Sequence, residues 1–332
     1  MLTDAELQAE SKENLIKMHR DIRDLESQQN KSKIEKEIYK KKLIGLENDN
    51  KEIQEKFPKH AKFNDGLIPK LGLTPQPPDR KSWVKTPAAT REQLRVILEE
   101  KVPILIIGLG DTAEVVPLAH ERGIKVMALA GAVKHALSHT HKGADVIIAQ
   151  GYEAGGHTGT IGNFPLIPQI VDAVRPKPVV AAGGISDGRG VAAALALGAV
   201  GVWCGTTFLV TQEGGINPIY KKQILNGSSE DFVRTAYTSG HFARHYRSDV
   251  IKAWMSSGLE AMPTPYQGNA MDEVRRAAEA ANRVDLLHVP GGQVAGMLSE
   301  QRNNVPAREI VERMVSEAAQ ILNDMRSRYV GA

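Results

Sequence analysis

The sequence predicts a parallel α/β protein of the TIM type, a (β/α)8 barrel incomplete or modified at its first strands and preceded by helices. Three observations predict it: five short apolar runs each end in glycine, helical stretches lie between them, and the first 60 residues differ in composition from the rest. A barrel of this type builds its active site on the rim where its strands end, and the loops after the last two strands often hold a phosphate.

Residues 1–72 read as a charged helical segment. Up to residue 60, Gly45 is the only glycine and valine is absent, a composition that suits helices and not buried parallel strands. Leu15, Met18, Ile22 and Leu25, then Tyr39, Leu43, Leu46, Ile53 and Phe57, keep one seven-residue frame interrupted by Gln29, Ser32, Lys36 and Asn50. Two amphipathic helices broken near 27–32 and packed on the barrel fit this pattern, and so does one imperfect coiled coil that would support a homo-oligomer. Lys40-Lys41-Lys42 has Glu35, Glu37 and Glu47 nearby, which marks a solvated face. Leu43-Ile44-Gly45-Leu46 is a faint candidate for a surviving strand.

A Pro-rich connector over 73–90, opening Leu73-Thr74-Pro75-Gln76-Pro77-Pro78, separates this segment from a barrel portion with a C-terminal helical lobe over 91–332. Helix resumes at Thr90. The first strand, Val102 to Ile107, runs into Gly108-Leu109-Gly110, and the second, Lys125 to Leu129, into Ala130-Gly131, with helices near 112–122 and 132–142. The third apolar run enters Ala149-Gln150-Gly151-Tyr152-Glu153-Ala154-Gly155-Gly156-His157-Thr158-Gly159. The fourth, Pro178 to Ala182, ends in Gly183-Gly184-Ile185. Ser186 or Asp187 then caps an alanine-rich helix that Gly198 ends, and the fifth strand, carrying Cys204, runs into Gly205-Thr206. An open doubly wound sheet would use the same glycines, but no G-x-G-x-x-G precedes a suitably spaced acid, which favours the barrel. Beyond residue 210 the glycine rhythm stops, and Met271–Asn282 and Ala307–Arg328 read as amphipathic helices.

His157 is the leading candidate for chemistry. It stands in a glycine-dense loop directly after a buried strand, where a flat ligand can approach bare backbone and an imidazole can exchange protons near neutral pH. Gly183-Gly184 and Gly205-Thr206 sit where N–H groups at a helix start would bind a phosphate. Glu153 reads as an acceptor that orders the loop. Cys204, inside a predicted strand, reads as a buried structural thiol. His135, His139 and His141 lack a completing cysteine or carboxylate, so they read as a solvated helix face and no metal site is expected.

Composition narrows the function classes. A chain of 332 residues with 42% hydrophobic content has ample core for a barrel-sized domain and an accessory segment. A formal charge of +3 points to neither nucleic acid nor an anionic membrane. A single cysteine excludes an internal disulfide. With no apolar leader and no run of about 18 apolar residues, the cytoplasm is the expected address.

The run from Gly108-Leu109-Gly110 through Gln150-Gly151-Tyr152-Glu153-Ala154-Gly155-Gly156-His157-Thr158-Gly159 to Ala182-Gly183-Gly184-Ile185 and Gly205-Thr206-Thr207-Phe208 resembles the nitronate monooxygenase family, formerly called 2-nitropropane dioxygenase. The likeness continues through Ser239-Gly240-His241-Phe242-Ala243-Arg244 and Gly292-Gln293-Val294-Ala295-Gly296-Met297, and Trp83-Val84-Lys85-Thr86-Pro87 looks like one of its sub-groups. The resemblance implies an FMN enzyme that oxidises alkyl nitronates with dioxygen to a carbonyl compound and nitrite. It implies His157 as the catalytic residue, acting as base toward a neutral nitroalkane or as polar partner of an anionic nitronate. It further implies Gln150 and Gly151 at the isoalloxazine or ribityl chain, Gly156 in the same cofactor-binding set, and Gly183, Gly184, Gly205 and Thr206 around the phosphate.

The N-terminus departs from that family, which begins with a strand ending in a Pro-Met-Gly type flavin loop and two further strand-helix units. Five parallel strands cannot close an eight-stranded barrel, so either the first 80 residues or another subunit covers the gap. Two other readings therefore stay open: a flavin-dependent NAD(P)H:quinone or enoyl reductase, and a non-catalytic truncated relative that associates through its N-terminal helices.

Overall fold

The computed structural model describes residues 51–76 and 87–330. Most of the seven-residue frame before Asn50, the basic run Lys40-Lys41-Lys42, the candidate strand Leu43-Ile44-Gly45-Leu46, Trp83 to Thr86 and much of the connector lie outside the described residues.

Five parallel strands form the main sheet in the order β1-β2-β3-β5-β6: β1 Ile104–Ile107, β2 Lys125–Ala130, β3 Val146–Gln150, β5 Val179–Ala182 and β6 Gly201–Trp203. In-register parallel pairs such as Ile107↔Ala128, Ala130↔Ala149, Gln150↔Ala182 and Ala182↔Trp203 align all their C-terminal ends along one rim. Sequential order with crossover helices is the barrel-type arrangement the glycine rhythm predicts. Several strand limits differ from expectation: β1 begins at Ile104 and β5 at Val179, β2 takes in Ala130, and Cys204 follows β6 instead of lying inside it.

Helices α1 Pro58–Lys70 and α2 Pro87–Glu99 precede the sheet, so helix returns three residues before Thr90. The crossovers are α3 Val115–His120, α4 Val133–His141, α5 Asn163–Val174 and α6 Gly188–Ala196. Asp187, not Ser186, caps α6: its carboxylate accepts the backbone N–H groups of Arg189 at 3.0 Å and Gly190 at 3.4 Å. Gly198, at φ +96°, ends that turn where a Cβ would be strained. The sheet face carrying Ala128, Ala130, Ile147, Ala149, Val179 and Ala181 packs on Leu166, Ile167 and Ile170 of α5 and on Ile310 and Met314 of the last helix. Each fully buried Ile or Leu there contributes roughly 2 kcal/mol.

A second sheet, unexpected from the sequence, stands beside the first. Its three strands run β4-β8-β7, with β4 Gly156–His157, β7 Phe232–Thr235 and β8 Ala243–Tyr246, all antiparallel. The expected His157 loop is therefore partly a strand, with His157 opposite Ala243. After β6 come the short α7 Thr206–Leu209 and α8 Pro218–Asn226, and after β8 come α9 Asp249–Ser257, α10 Tyr266–Ala280, α11 Glu300–Asn303 and α12 Ala307–Met325. The expected Met271–Asn282 helix begins five residues earlier than predicted. A separate apolar core joins Leu67 and Ile68 of α1 to Ile251 and Trp254 of α9 and Val274 and Ala277 of α10. Asn64 of α1 adds a hydrogen bond from Nδ2 to the Ala270 carbonyl at 2.9 Å. Helix α1 therefore packs on the C-terminal helices, whereas Leu98 of α2 packs with Leu105, Val116 and Val126 at the start of the sheet.

Candidate active site

A cleft of about 220 Å³ opens at the C-terminal rim of the parallel sheet. Six of the eight predicted site residues line it: Gln150, Gly156, Gly183, Gly184, Gly205 and Thr206. Apolar walls come from Ile185, Trp203, Leu209 and Val294, and Ala154, Gly155 and Gly292 close one side.

The glycines there differ in what they do. Gly183 has φ +90°, and a Cβ on it would stand 2.9 Å from Ala154, so backbone conformation and close packing both require glycine. Gly205 has no atom within 4 Å of where its Cβ would be, which leaves open space in the cleft. The backbone N–H groups of Gly183, Gly184, Gly205 and Thr206 donate to no oxygen among the described residues. Gly184 and Gly205 are exposed and Gly183 is half-buried, so these donors around one cleft are open to an anionic group. The Thr206 hydroxyl is engaged elsewhere, accepting the Gly292 N–H at 2.8 Å.

Gly151 lies outside the cleft lining. Its N–H donates to the Ala182 carbonyl at 3.0 Å and its carbonyl accepts the Thr158 hydroxyl at 2.9 Å. A Cβ there would collide with the side chains of Asn163 and Glu153. Glu153 orders the loop as expected, accepting the Asn163 backbone N–H on both oxygens at 3.1 Å. Asn163 also donates from Nδ2 to the Gly183 carbonyl, which links the third-strand loop to the fourth.

His157 stands beside the cleft: its neighbour Gly156 lines the wall, and its own ring turns toward the segment before β8. Nε2 is 3.1 Å from the Ser239 hydroxyl, and the imidazole of His241 lies 6.4 Å away between ring centroids. Ser239 Oγ also accepts the His241 N–H at 3.4 Å. A hydroxyl can donate to an imidazole nitrogen or accept from its N–H, so Ser239 can follow a change in the protonation of His157.

Two arginines hold the loop. Arg244, 2% exposed, donates to the carbonyls of Ala154 at 3.2 Å, Tyr152 at 2.8 Å and Phe232 at 2.8 Å, and its guanidinium lies 4.5 Å from the Tyr152 ring centroid. Arg234, opposite it on β7, donates to the Thr158 carbonyl from Nε at 3.3 Å and Nη2 at 3.2 Å. Neither arginine is within ion-pair distance of a carboxylate among the described residues. Behind the loop, His245 and His288 stack edge-on at 4.8 Å. Burial pushes His288 down to about 4; burial, then the neighbouring His288 and His157, push His245 down to about 3.

Sequence reasoning assigned no role to Ser239, Arg244 or Asn163. Ser239 and Arg244 stood in a segment noted for its family likeness, and Asn163 follows a glycine as an ordinary helix-start residue. Cys204 lines the cleft half-buried, and burial pushes its thiol up to about 11, so it stays protonated and weakly nucleophilic. The expected solvated face of α4 is only partly so: His139 is half-buried, with Nδ1 3.2 Å from the Thr112 hydroxyl. Among the described residues no cluster suited to a metal ion occurs, and no helix is long and apolar enough to cross a membrane.

Residues 73–317 match the family model described as nitronate monooxygenase. A Mycobacterium tuberculosis protein named provisionally as a monooxygenase is 36% identical over 294 residues, 83% of this chain and 77% of its own length. Among solved structures, FabK from Thermotoga maritima superposes with a TM-score of 0.64 at 32% identity, covering 74% of this chain and 76% of that one. A nitroalkane oxidase from Streptomyces ansochromogenes gives a TM-score of 0.68 at 26% identity, covering 81% and 79%.

Proposed function

The chain belongs to the nitronate monooxygenase family, a family of oxidoreductases on TIM-type barrels, and from that premise we propose that it oxidises alkyl nitronates with dioxygen to a carbonyl compound and nitrite, with FMN as cofactor. One observation carries the reading: a cleft at the strand ends offers four unused backbone donors at Gly183, Gly184, Gly205 and Thr206, with His157 at its side.

The residues present fit the cofactor. Unused N–H groups bind a dianionic phosphate without a dedicated arginine, and the space beside Gly205 admits it. Gln150 and the bare backbone at Gly156 are placed to meet a flat ring lying on the rim. Bound FMN supplies the electron exchange with nitronate and dioxygen, leaving binding, orientation and proton handling to the protein.

His157 is the proton-handling group in this reading, held in orientation by Ser239 through Nε2. A neutral imidazole accepts the α-proton of a nitroalkane, and the resulting imidazolium donates a charge-assisted hydrogen bond to the anionic nitronate. Ser239 accepts from Nε2–H whenever that nitrogen is protonated, so the ring keeps its position in both states. Arg244 and Arg234 add positive charge behind the loop, which favours an anionic ligand.

The test is reconstitution with FMN, counting bound flavin by visible absorbance after free ligand is removed, followed by a nitrite assay on nitronates. Near-stoichiometric flavin with nitrite release is expected, and His157→Asn should retain the flavin while losing nitrite formation by at least 100-fold, within the range for a positioned acid–base group. Unchanged turnover in that variant would sink the assignment of His157. NAD(P)H consumption without nitrite would replace the reading by a flavin-dependent reductase, and no retained flavin would leave the non-catalytic alternative.

A further inference from the structure

A second cavity, of about 580 Å³, lies between β7 and α9. Arg234, Gly240 and Phe242 form one end, and Trp254, Met255 and Leu259 form the other. The first end adjoins the chemistry: Gly240 follows Ser239, and Arg234 donates to the carbonyl of Thr158, the residue after His157.

The two ends differ chemically. At the His157 end, Arg234 keeps Nη1 without an acceptor and has no carboxylate in ion-pair range among the described residues, while its guanidinium stacks 4.2 Å from the centroid of the Phe242 ring. A partly buried guanidinium without a counter-ion is a receptor for a planar, two-oxygen anion. Trp254, Met255 and Leu259 add apolar wall, and Phe242 and Met255 leave 53% and 52% of their surface open to solvent. Exposed large apolar side chains lining one cavity mark a place where hydrocarbon binds. One acid, Glu260, also lines the cavity, and it is exposed.

We propose that this cavity receives the carbon chain of the substrate, so that the protein selects medium-chain alkyl anions whose planar head lies between Arg234 and His157 and whose tail runs along Phe242, Trp254 and Met255 toward Leu259. The inference rests on the nitronate reading for the identity of the head group, and on the cavity alone for the preference in chain length. Short nitronates leave Phe242 and Met255 wet, whereas each further methylene moves from water into the cavity.

Straight-chain carboxylates share the planar, two-oxygen anionic head of a nitronate and do not react, so they report binding without turnover. Titrating the full chain with acetate, butanoate, hexanoate and octanoate, and following Trp254 fluorescence, should show affinity rising about threefold to fourfold per added methylene, the gain expected for a buried CH2. Trp254→Phe should abolish the fluorescence response, which identifies Trp254 as the reporter among the three tryptophans. Met255→Trp, at an exposed position that tolerates a larger side chain, should narrow the cavity and cut the octanoate-to-acetate affinity ratio at least tenfold. Equal affinity for acetate and octanoate, a response surviving in Trp254→Phe, or an unchanged ratio in Met255→Trp would each overturn the proposal. A chain-length gradient found without any nitrite formation would uphold the cavity and sink only the nitronate reading. Nitrite formation with no gradient would do the reverse.

Discussion

Replacing Arg244 by methionine tests whether the loop that carries His157 is held from behind. The guanidinium is buried and makes three hydrogen bonds of 2.8–3.2 Å to carbonyls, two of them in the loop at Tyr152 and Ala154. A bond from a charged donor contributes about 1.5–3 kcal/mol, and each buried carbonyl left unpaired costs about 1–3 kcal/mol. The three bonds share one side chain and do not add, and methionine retains the apolar stem, so the expected loss is about 3–5 kcal/mol. Against a total stability of about 5–15 kcal/mol for a domain, that is a large share. Arg244→Lys should lose about 2 kcal/mol, since one ammonium cannot reach three carbonyls spread around a planar fork. Urea titration measures the loss, and hydrogen exchange at residues 151–158 locates it. A loss below about 1 kcal/mol with unchanged exchange would refute the reasoning and move the restraint to Asn163 and Glu153.

Three further outcomes follow from the geometry. Gly183→Ala should destabilise by at least about 1–2 kcal/mol because of its left-handed φ and the 2.9 Å approach to Ala154, whereas Gly205→Ala, at φ −103° and in open space, should change stability by less than about 0.5 kcal/mol yet weaken FMN binding, as calorimetry and flavin titration will show. His245 and His288 are held neutral by burial, with folded values of about 3 and about 4 below the ordinary 6.5. Protons therefore favour the unfolded chain, and stability, complete above about pH 6.5, should fall by up to about 1.4 kcal/mol per pH unit per histidine as the pH drops toward 4; His288→Gln should halve that slope in urea melts. Cys204, pushed up to about 11, should react with iodoacetamide at pH 8 at least tenfold more slowly than a free cysteine despite lining the cleft, as mass spectrometry can follow.

The parallel sheet was legible in the sequence because each strand is a short apolar run ending in glycine, a local signal that needs no partner to be read. A helix cap at Ser186 or Asp187 and the stop at Gly198 were legible for the same reason, and the structure selects Asp187. The second sheet was not. Gly156–His157 is a strand of two residues whose partner, Ala243–Arg244, lies far along the chain, and Ala243, Arg244 and His245 are all buried, which erases the alternation that identifies a half-buried strand. Arg244 illustrates the difficulty at a single residue: an arginine reads as surface until the fold supplies three carbonyls around it. The seven-residue frame before residue 51 and its proposed role in association lie outside the described residues and keep the standing of an expectation.

The two sheets divide the work of the site. The unused donors and the open space belong to the rim of the parallel sheet, whose glycines are fixed by strand register and by contact with Ala154. His157 belongs to the small antiparallel sheet, where β8 sets its height through Ala243 and Ser239 sets the direction of its ring. In the proposed reading, the distance between His157 and the cofactor rim depends on how the small sheet docks, through Arg244 on Ala154 and through Gly292, whose N–H meets the Thr206 hydroxyl. Arg244 and Thr206 thus tie the His157 loop and the rim together. If the proposed function holds, a change at β8 away from Arg244 should lower turnover while flavin binding persists, whereas a change at the rim glycines should weaken flavin binding itself.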